Sequence, residues 1–150
     1  DVRELLLNFR TKITQKDFPE AIATLVKRFE NQTQIATEVT WQGHGLSLTP
    51  AQQLQVVFIV QESLSNIRKH AHASRVTIDI RNQHDFELNI RDNGTGFDAE
   101  RLAAHSGDHV GMHIMRERAR RIGAHIQIDS TPHQGTAIRL SLPETEREHP

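Results

Sequence analysis

The sequence predicts an α/β protein in which an open sheet is covered by helices on one face. Two neighbouring segments alternate with period two: Val76, Ile78 and Ile80 against Thr77, Asp79 and Arg81, then Phe86, Leu88 and Ile90 against Glu87, Asn89 and Arg91. Such strands have one apolar face that must be covered. Segments 18–31 and 50–71 repeat apolar residues at helical spacing and supply the cover. A chain of 150 residues is long enough for one domain with a sizeable core. Its net charge of -1 argues against a general grip on nucleic acid. Without cysteine it has neither disulfides nor thiolate zinc sites, and a reducing compartment is allowed. The longest apolar run, Val56 to Val60, is too short to cross a bilayer, and no secretory leader is present. The chain opens at Asp1 in mid-pattern, which suggests a piece of something longer.

Residues 1–14 place Val2, Leu5, Leu6, Phe9 and Ile13 on one helical stripe. That stripe suits the end of a coiled-coil or bundle helix, and equally an amphipathic helix on the domain's own core. A helix over 18–31 has Pro19 in its first turn and Ala21, Ile22, Leu25, Val26 and Phe29 on its apolar face. Residues 35–42 read as a strand. Thr49 then caps a long helix to about residue 71, with Pro50 at its first position. After the two central strands, residues 94–111 hold four glycines and read as a long mobile loop. A helix is expected over 111–122, its arginines 116, 118, 120 and 121 forming a solvated face that compensates the helix dipole, and Gly123 ending it. Strands follow around Ile126 and Ile128 and from Gly135 to Leu142. The charged tail from Glu144 to Pro150 is expected to fray.

The strand at 86–90 carries its alternation on to Asp92, the next inward position. A carboxylate facing a core is costly unless something pairs with it. Asn93-Gly94-Thr95-Gly96 follows, a turn that brings bare backbone close. Asp92 therefore either accepts a hydrogen bond from a ligand amine, adenine's amino group foremost, or caps a β-turn. On the helix over 50–71, Glu62, Asn66, Lys69 and His70 stand at i, i+4, i+7 and i+8, opposite the apolar stripe. An acid, an amide and a cation on one wall suit a Mg²⁺-bound polyphosphate, and a plain solvated face explains them as well. His105, His109 and His113 recur every four residues, but Gly107 and Gly111 argue against a helix there and hence against a metal site. The chain has no internal repeat, no GxxxxGK(S/T) phosphate loop, no GxSxG elbow and no HExxH.

Taken in order, QESLSNIRKHAHA at 61–73, DNGTGF at 92–97, HVGMHIMRERA at 109–119 and GTAIRLSL at 135–142 resemble the catalytic ATP-binding domain of sensor histidine kinases. The wider superfamily takes in the ATPase parts of DNA gyrase, Hsp90 and MutL. NIRKHA and GMHIMRERA are similar to the NarX/NarQ nitrate/nitrite sensor branch, and DVRELLLNFR to the end of its dimerisation helix. The resemblance implies a two-layer α/β sandwich of a mixed sheet and helices, the Bergerat or histidine kinase-like ATPase fold. The dimerisation helix would end at 1–14, the ATP-binding domain would span 15–143, and a flexible tail would follow. By position, Asn66 would bind Mg²⁺, and Glu62 would polarise the nucleophile or hold a metal-bound water. Lys69 and His70 would lie along the phosphates or ribose, and Asp92 would take the adenine amino group. Gly94 and Gly96 would shape the pocket, Gly107 and Gly111 would border a lid, and Thr136 would lie near the base.

The second glycine motif is thinner than in most such kinases, since Asp108-His109-Val110 separates Gly107 from Gly111. No phosphoacceptor segment is present, and His70 belongs to the nucleotide motif. The resemblance implies that the γ-phosphoryl passes to a histidine on a separate dimerisation domain and then to a response regulator with a DNA-binding output. The intact protein would be a homodimeric inner-membrane sensor, with this domain cytoplasmic and monomeric in isolation. A gyrase-type ATP hydrolase and a non-catalytic docking module are the competing readings.

Overall fold

The computed structural model describes residues 17–95 and 106–147. The amphipathic stripe at 1–14, Gly96, and the tail beyond Arg147 lie outside those residues. Three helices and five strands follow in order: α1 (Asp17–Thr33), β1 (Ala36–Gln42), α2 (Pro50–Asn66), β2 (Arg75–Asn82), β3 (Phe86–Asp92), α3 (Ser106–Arg121), β4 (His125–Thr131) and β5 (Gly135–Leu142). The sheet runs β1-β2-β3-β5-β4. Only β1 and β2 are parallel, and the other pairs are antiparallel. The mixed sheet with helices is the expected architecture.

The two periodicities meet in the core. Ile78, Ile80, Leu88, Ile90, Leu140 and Leu142 from the sheet are fully buried, as are Ile22 of α1, Val56, Val57 and Val60 of α2, and Met115 of α3. Leu88 lies between Ile80 and Leu140 in register, and Ile90 between Ile78 and Ile138, so apolar rows cross the inner face. Thr77, Asp79, Glu87, Asn89 and Arg139 stand on the other face, where Arg139 Nε donates to Asn89 Oδ1 at 3.1 Å.

α2 starts as its sequence requires. Thr49 Oγ1 accepts the Gln52 amide at 3.2 Å, and Gln52 Oε1 accepts the Thr49 amide at 2.9 Å, a reciprocal capping box with Pro50 in the first turn. Gly123 ends α3 at a φ of +72°, with Ala124 N donating to Ala119 O at 2.9 Å and Gly123 N to Arg120 O at 3.1 Å. That pair of bonds is a Schellman motif, and its left-handed residue favours glycine.

Three expectations are corrected. α3 begins at Ser106, so Gly107 and Gly111 lie inside a helix and not in a loop. A helical glycine costs about 1 kcal/mol against alanine, which weakens a helix without forbidding it when its other side packs on a core. The spacing of His109 and His113 is therefore helical after all; among the described residues no three metal-ligating side chains gather. The tail does not fray at Glu144, because Glu144–Arg147 forms a 3₁₀ turn whose Arg147 is buried. Arg147 Nη1 donates to Leu46 O at 2.7 Å and to Asn82 Oδ1, and Nη2 donates to His84 O. Gln52 Nε2 of α2 also reaches Glu146 O, at 2.8 Å. Finally, Arg118 is only partly solvated: its guanidinium sits 3.5 Å from the centroid of the Phe58 ring.

Candidate functional site

Asp92 closes β3 on the inner face. It lies opposite Val76 of β2 and Thr136 of β5, and Thr136 in turn lies opposite Ser130 of β4. Residues directly opposite share a face, so Val76, Asp92, Thr136 and Ser130 form the last row of the helix-facing side. Asp92 is 9% exposed. Its Oδ1 accepts the Gly94 amide at 2.8 Å. The turn-capping reading is thus correct for one carboxylate oxygen. It does not use the whole group, since an ionised carboxylate offers about four lone-pair sites. Burial raises the Asp92 pKa from its ordinary value, and the backbone amides of Gly94 and Thr136 pull against that rise.

Neighbouring turns hold the strand end in place. Asn93 Oδ1 accepts the Ser74 and Arg75 amides, each at 2.9 Å, and Asn93 Nδ2 donates to Ser74 Oγ at 2.9 Å. The start of β2 is thereby fastened to the end of β3. Gly135 approaches from the other side. At a φ of +86°, a Cβ there would lie 2.2 Å from the Asp92 carbonyl oxygen. Thr136 Oγ1 is 2.8 Å from Ser130 Oγ, so a two-hydroxyl pair stands beside the carboxylate.

The helices bring the remaining residues to the same end. Only His72, Ala73 and Ser74 separate the last turn of the long helix from β2. α3 packs antiparallel on α2: Ser63 Oγ meets Met115 Sδ at 3.5 Å, while Gln55 Oε1 accepts Arg118 Nη1 at 3.1 Å. The later residue of α3 touches the earlier residue of α2. The N-terminal end of α3, with Gly107 and Gly111, is therefore directed toward Asn66.

The polar wall differs in one respect from a regular stripe. α2 is α-helical only to Asn66, and Ile67–Ala71 forms a π turn ending at His72 with a φ of +48°. In a π turn each amide reaches five residues back and not four, so Lys69 is displaced around the axis relative to Glu62 and Asn66. Glu62 and Asn66 are half-buried and Lys69 is exposed. The side chain of His70 lies outside the described set. Asn93, Ser130 and Arg118 were not singled out from the sequence. Asn93 is ordinary turn chemistry there, and Arg118 is one arginine among four. Burial lowers the Arg118 pKa, Arg121 lowers it further, and the Glu62 charge raises it. Gln55, Phe58, Glu62 and Asn66 fall on one helical stripe, so Arg118 covers the lower part of the wall that Glu62 and Asn66 continue.

The family model for "Histidine kinase-, DNA gyrase B-, and HSP90-like ATPase" matches residues 51–146. The chain belongs to that family, and the relatives it resembles are sensor histidine kinases. It is 31% identical over 98% of its length to the nitrate/nitrite sensor protein NarQ of Escherichia coli (strain K12), covering 26% of that protein. It is 32% identical over 99% of its length to the sensor protein VraS of Staphylococcus epidermidis, covering 42% of it. To the sensor histidine kinase LiaS of Bacillus subtilis (strain 168) it is 31% identical over 95% of its length, covering 39%. The chain thus spans a quarter to two fifths of these curated relatives. The solved mycobacterial sensor histidine kinase MprB has the same fold, with a TM-score of 0.63 at 21% identity over 83% of this chain and 93% of that one.

Proposed function

We propose that this domain binds ATP and presents its γ-phosphoryl to a histidine outside the domain, as the catalytic part of a sensor histidine kinase. The observation that carries this reading is Asp92: a buried carboxylate at the open end of the sheet, half-used by the Gly94 amide and standing beside Thr136. A buried acceptor of this kind selects an exocyclic amine, which adenine has and guanine lacks at that edge. Thr136 lies beside the base, and Gly94 forms the wall. Gly96 shapes the pocket with it, and Gly107 and Gly111 border the lid.

The donor set fits Mg²⁺ as a shared ion. Glu62 and Asn66 stand one helical turn apart and half-buried. Two hard oxygens do not make a cage, but they suit an ion that keeps its waters and shares phosphate oxygens. Asn66 would hold it, and the ion would offset triphosphate charge. Lys69, which is exposed, and His70 lie along the phosphates or ribose. Glu62 polarises the attacking histidine or holds a metal-bound water; the unprotonated ring nitrogen forms the N–P bond as the bond to the β-phosphate oxygen breaks, and the proton leaves from the other ring nitrogen.

In the intact protein, we propose, residues 1–14 end the dimerisation helix of a homodimer at the inner membrane. The phosphoryl group passes on to a response regulator with a DNA-binding output. No helix among the described residues is long and apolar enough to cross a membrane. Nitrate/nitrite sensing has the NarQ likeness behind it, but VraS and LiaS match to the same degree, which leaves a sensor kinase of this type with its signal open.

Calorimetric titration with ATP in the presence of Mg²⁺, beside GTP and Asp92→Asn, tests the reading. ATP is expected to bind, GTP not, and the variant to lose about 1.5–3 kcal/mol, the range for a hydrogen bond to a charged group. Equal binding of ATP and GTP by the wild-type chain would overturn the Asp92 assignment.

A further inference from the structure

Asp92 has two neighbours in its row on the helix-facing side of the sheet, Val76 on β2 and Thr136 on β5. Val76 is apolar and fully buried, so of the two only Thr136 can exchange a proton with a bound group. Its hydroxyl already has a partner. Thr136 lies opposite Ser130 of β4, and the two side-chain oxygens are 2.8 Å apart, inside the usual range for an O–H···O bond, with either able to donate. Both residues are half-buried. Gly135 O, 3.4 Å from Ser130 Oγ, has a weaker claim on the Ser130 hydrogen than Thr136 Oγ1 has. The β4–β5 turn is also tied to the glycine loop that follows Asp92: His133, in the left-handed region at a φ of +70°, donates its backbone amide to Thr95 O. Ser130 therefore stands in the wall of the site, although it lies on the edge strand of the sheet.

The direction of the Ser130–Thr136 bond decides what the site offers a ligand. If Thr136 donates to Ser130, its hydrogen is spent, and Thr136 turns only lone pairs toward the pocket. If Ser130 donates to Thr136, the Thr136 hydrogen is left for the ligand. An ionised carboxylate only accepts, so the second arrangement sets a donor beside an acceptor. Adenine carries the matching pair on one edge, an exocyclic amine that donates and a ring N1 that accepts. We infer that Ser130 is a positioning residue for base recognition: it donates to Thr136 and so commits the Thr136 hydroxyl to donate toward ring N1 of the adenine whose amine Asp92 accepts. The inference rests on the ATP-binding reading above and adds to it a second polar contact, made by Thr136 and directed by a residue one strand further out.

Calorimetric titration of this chain with ATP and with 1-deaza-ATP, each with Mg²⁺, tests it. The analogue keeps the amine and replaces ring N1 by CH. The wild-type chain is expected to bind ATP about three- to tenfold more tightly than the analogue, the net worth of one hydrogen bond. Ser130→Ala should lose that factor for ATP and bind the analogue as the wild type does. Ser130→Thr, which keeps the hydroxyl, should retain the preference for ATP. Should the alanine variant not fold, Ser130→Thr beside Ser130→Val asks the same question, since the two differ by one hydroxyl at nearly equal shape. A loss of affinity in Ser130→Ala that is equal for both nucleotides would mark a merely structural serine and overturn the inference. A wild-type chain that binds ATP and the analogue alike would overturn it too and leave the ATP-binding reading standing, whereas no ATP binding at all would bring down both.

Discussion

Asp92 sets function against stability. Its carboxyl pKa is raised in the fold by burial. The native state therefore binds more protons than the unfolded chain from the ordinary carboxylate value, 3.8, up to the folded value. Stability falls as pH rises through that window and does not return above it. Asp92→Asn removes the cost, and its amide oxygen still accepts the Gly94 amide. We expect the variant without ligand to melt higher than wild type at pH 7 while binding ATP more weakly. Thermal unfolding against pH checks this: the wild-type melting curve should fall across the window and the variant's should not. Gly135 is the second case. An alanine there is strained by about 1–3 kcal/mol at positive φ, and its Cβ at 2.2 Å would push the Asp92 carbonyl away. Gly135→Ala is expected to lose at least that much stability in urea unfolding, and ATP affinity with it.

Among the elements, α2 and α3 form the working pair. Arg118 joins them through Phe58 and Gln55, whereas Arg120 is exposed and pairs with Glu117 at 3.0 Å. Removing the first should cost about 1–2 kcal/mol, as for a partly desolvated cation on a ring; removing the second should cost under about 0.5 kcal/mol, as for a surface i,i+3 pair. Urea unfolding of Arg118→Ala beside Arg120→Ala separates them. The same pair shows what the sequence discloses. Thr49-Pro50 announced the start of α2 because a cap is local chemistry, and period two announced β2 and β3 with Asp92 facing inward. The π turn at Ile67–Ala71 left no trace in the pattern, because apolar spacing does not separate a five-residue turn from an α-helical one. The early start of α3 was hidden by Gly107 and Gly111, whose propensity is overridden by packing. Arg118 could not be told from its neighbours, since only the facing helix distinguishes a stacked arginine from a wet one. The sheet order was equally out of reach, since pairing β3 with β5 is a choice made across some fifty residues.

For the whole molecule, Arg147 acts as a clasp. It joins the chain end to the loop at Leu46 and to the β2–β3 turn, across 101 residues in the first case. Arg147→Ala is expected to lose at least the roughly 1.5–3 kcal/mol of one charged hydrogen bond, read as a lower midpoint in thermal unfolding, although the residue is far from the proposed ATP site. The position of β5 has another consequence. Asp92 is already present on a chain ended at Thr131, but Thr136, Gly135 and the neighbour that pins the Asp92 backbone are not. During synthesis the pocket is therefore among the last features to be completed. A nascent chain that ends before β5 carries Asp92 without Gly135 and Thr136 beside it, so the proposed adenine contact stays without its neighbours until β5 pairs with β3.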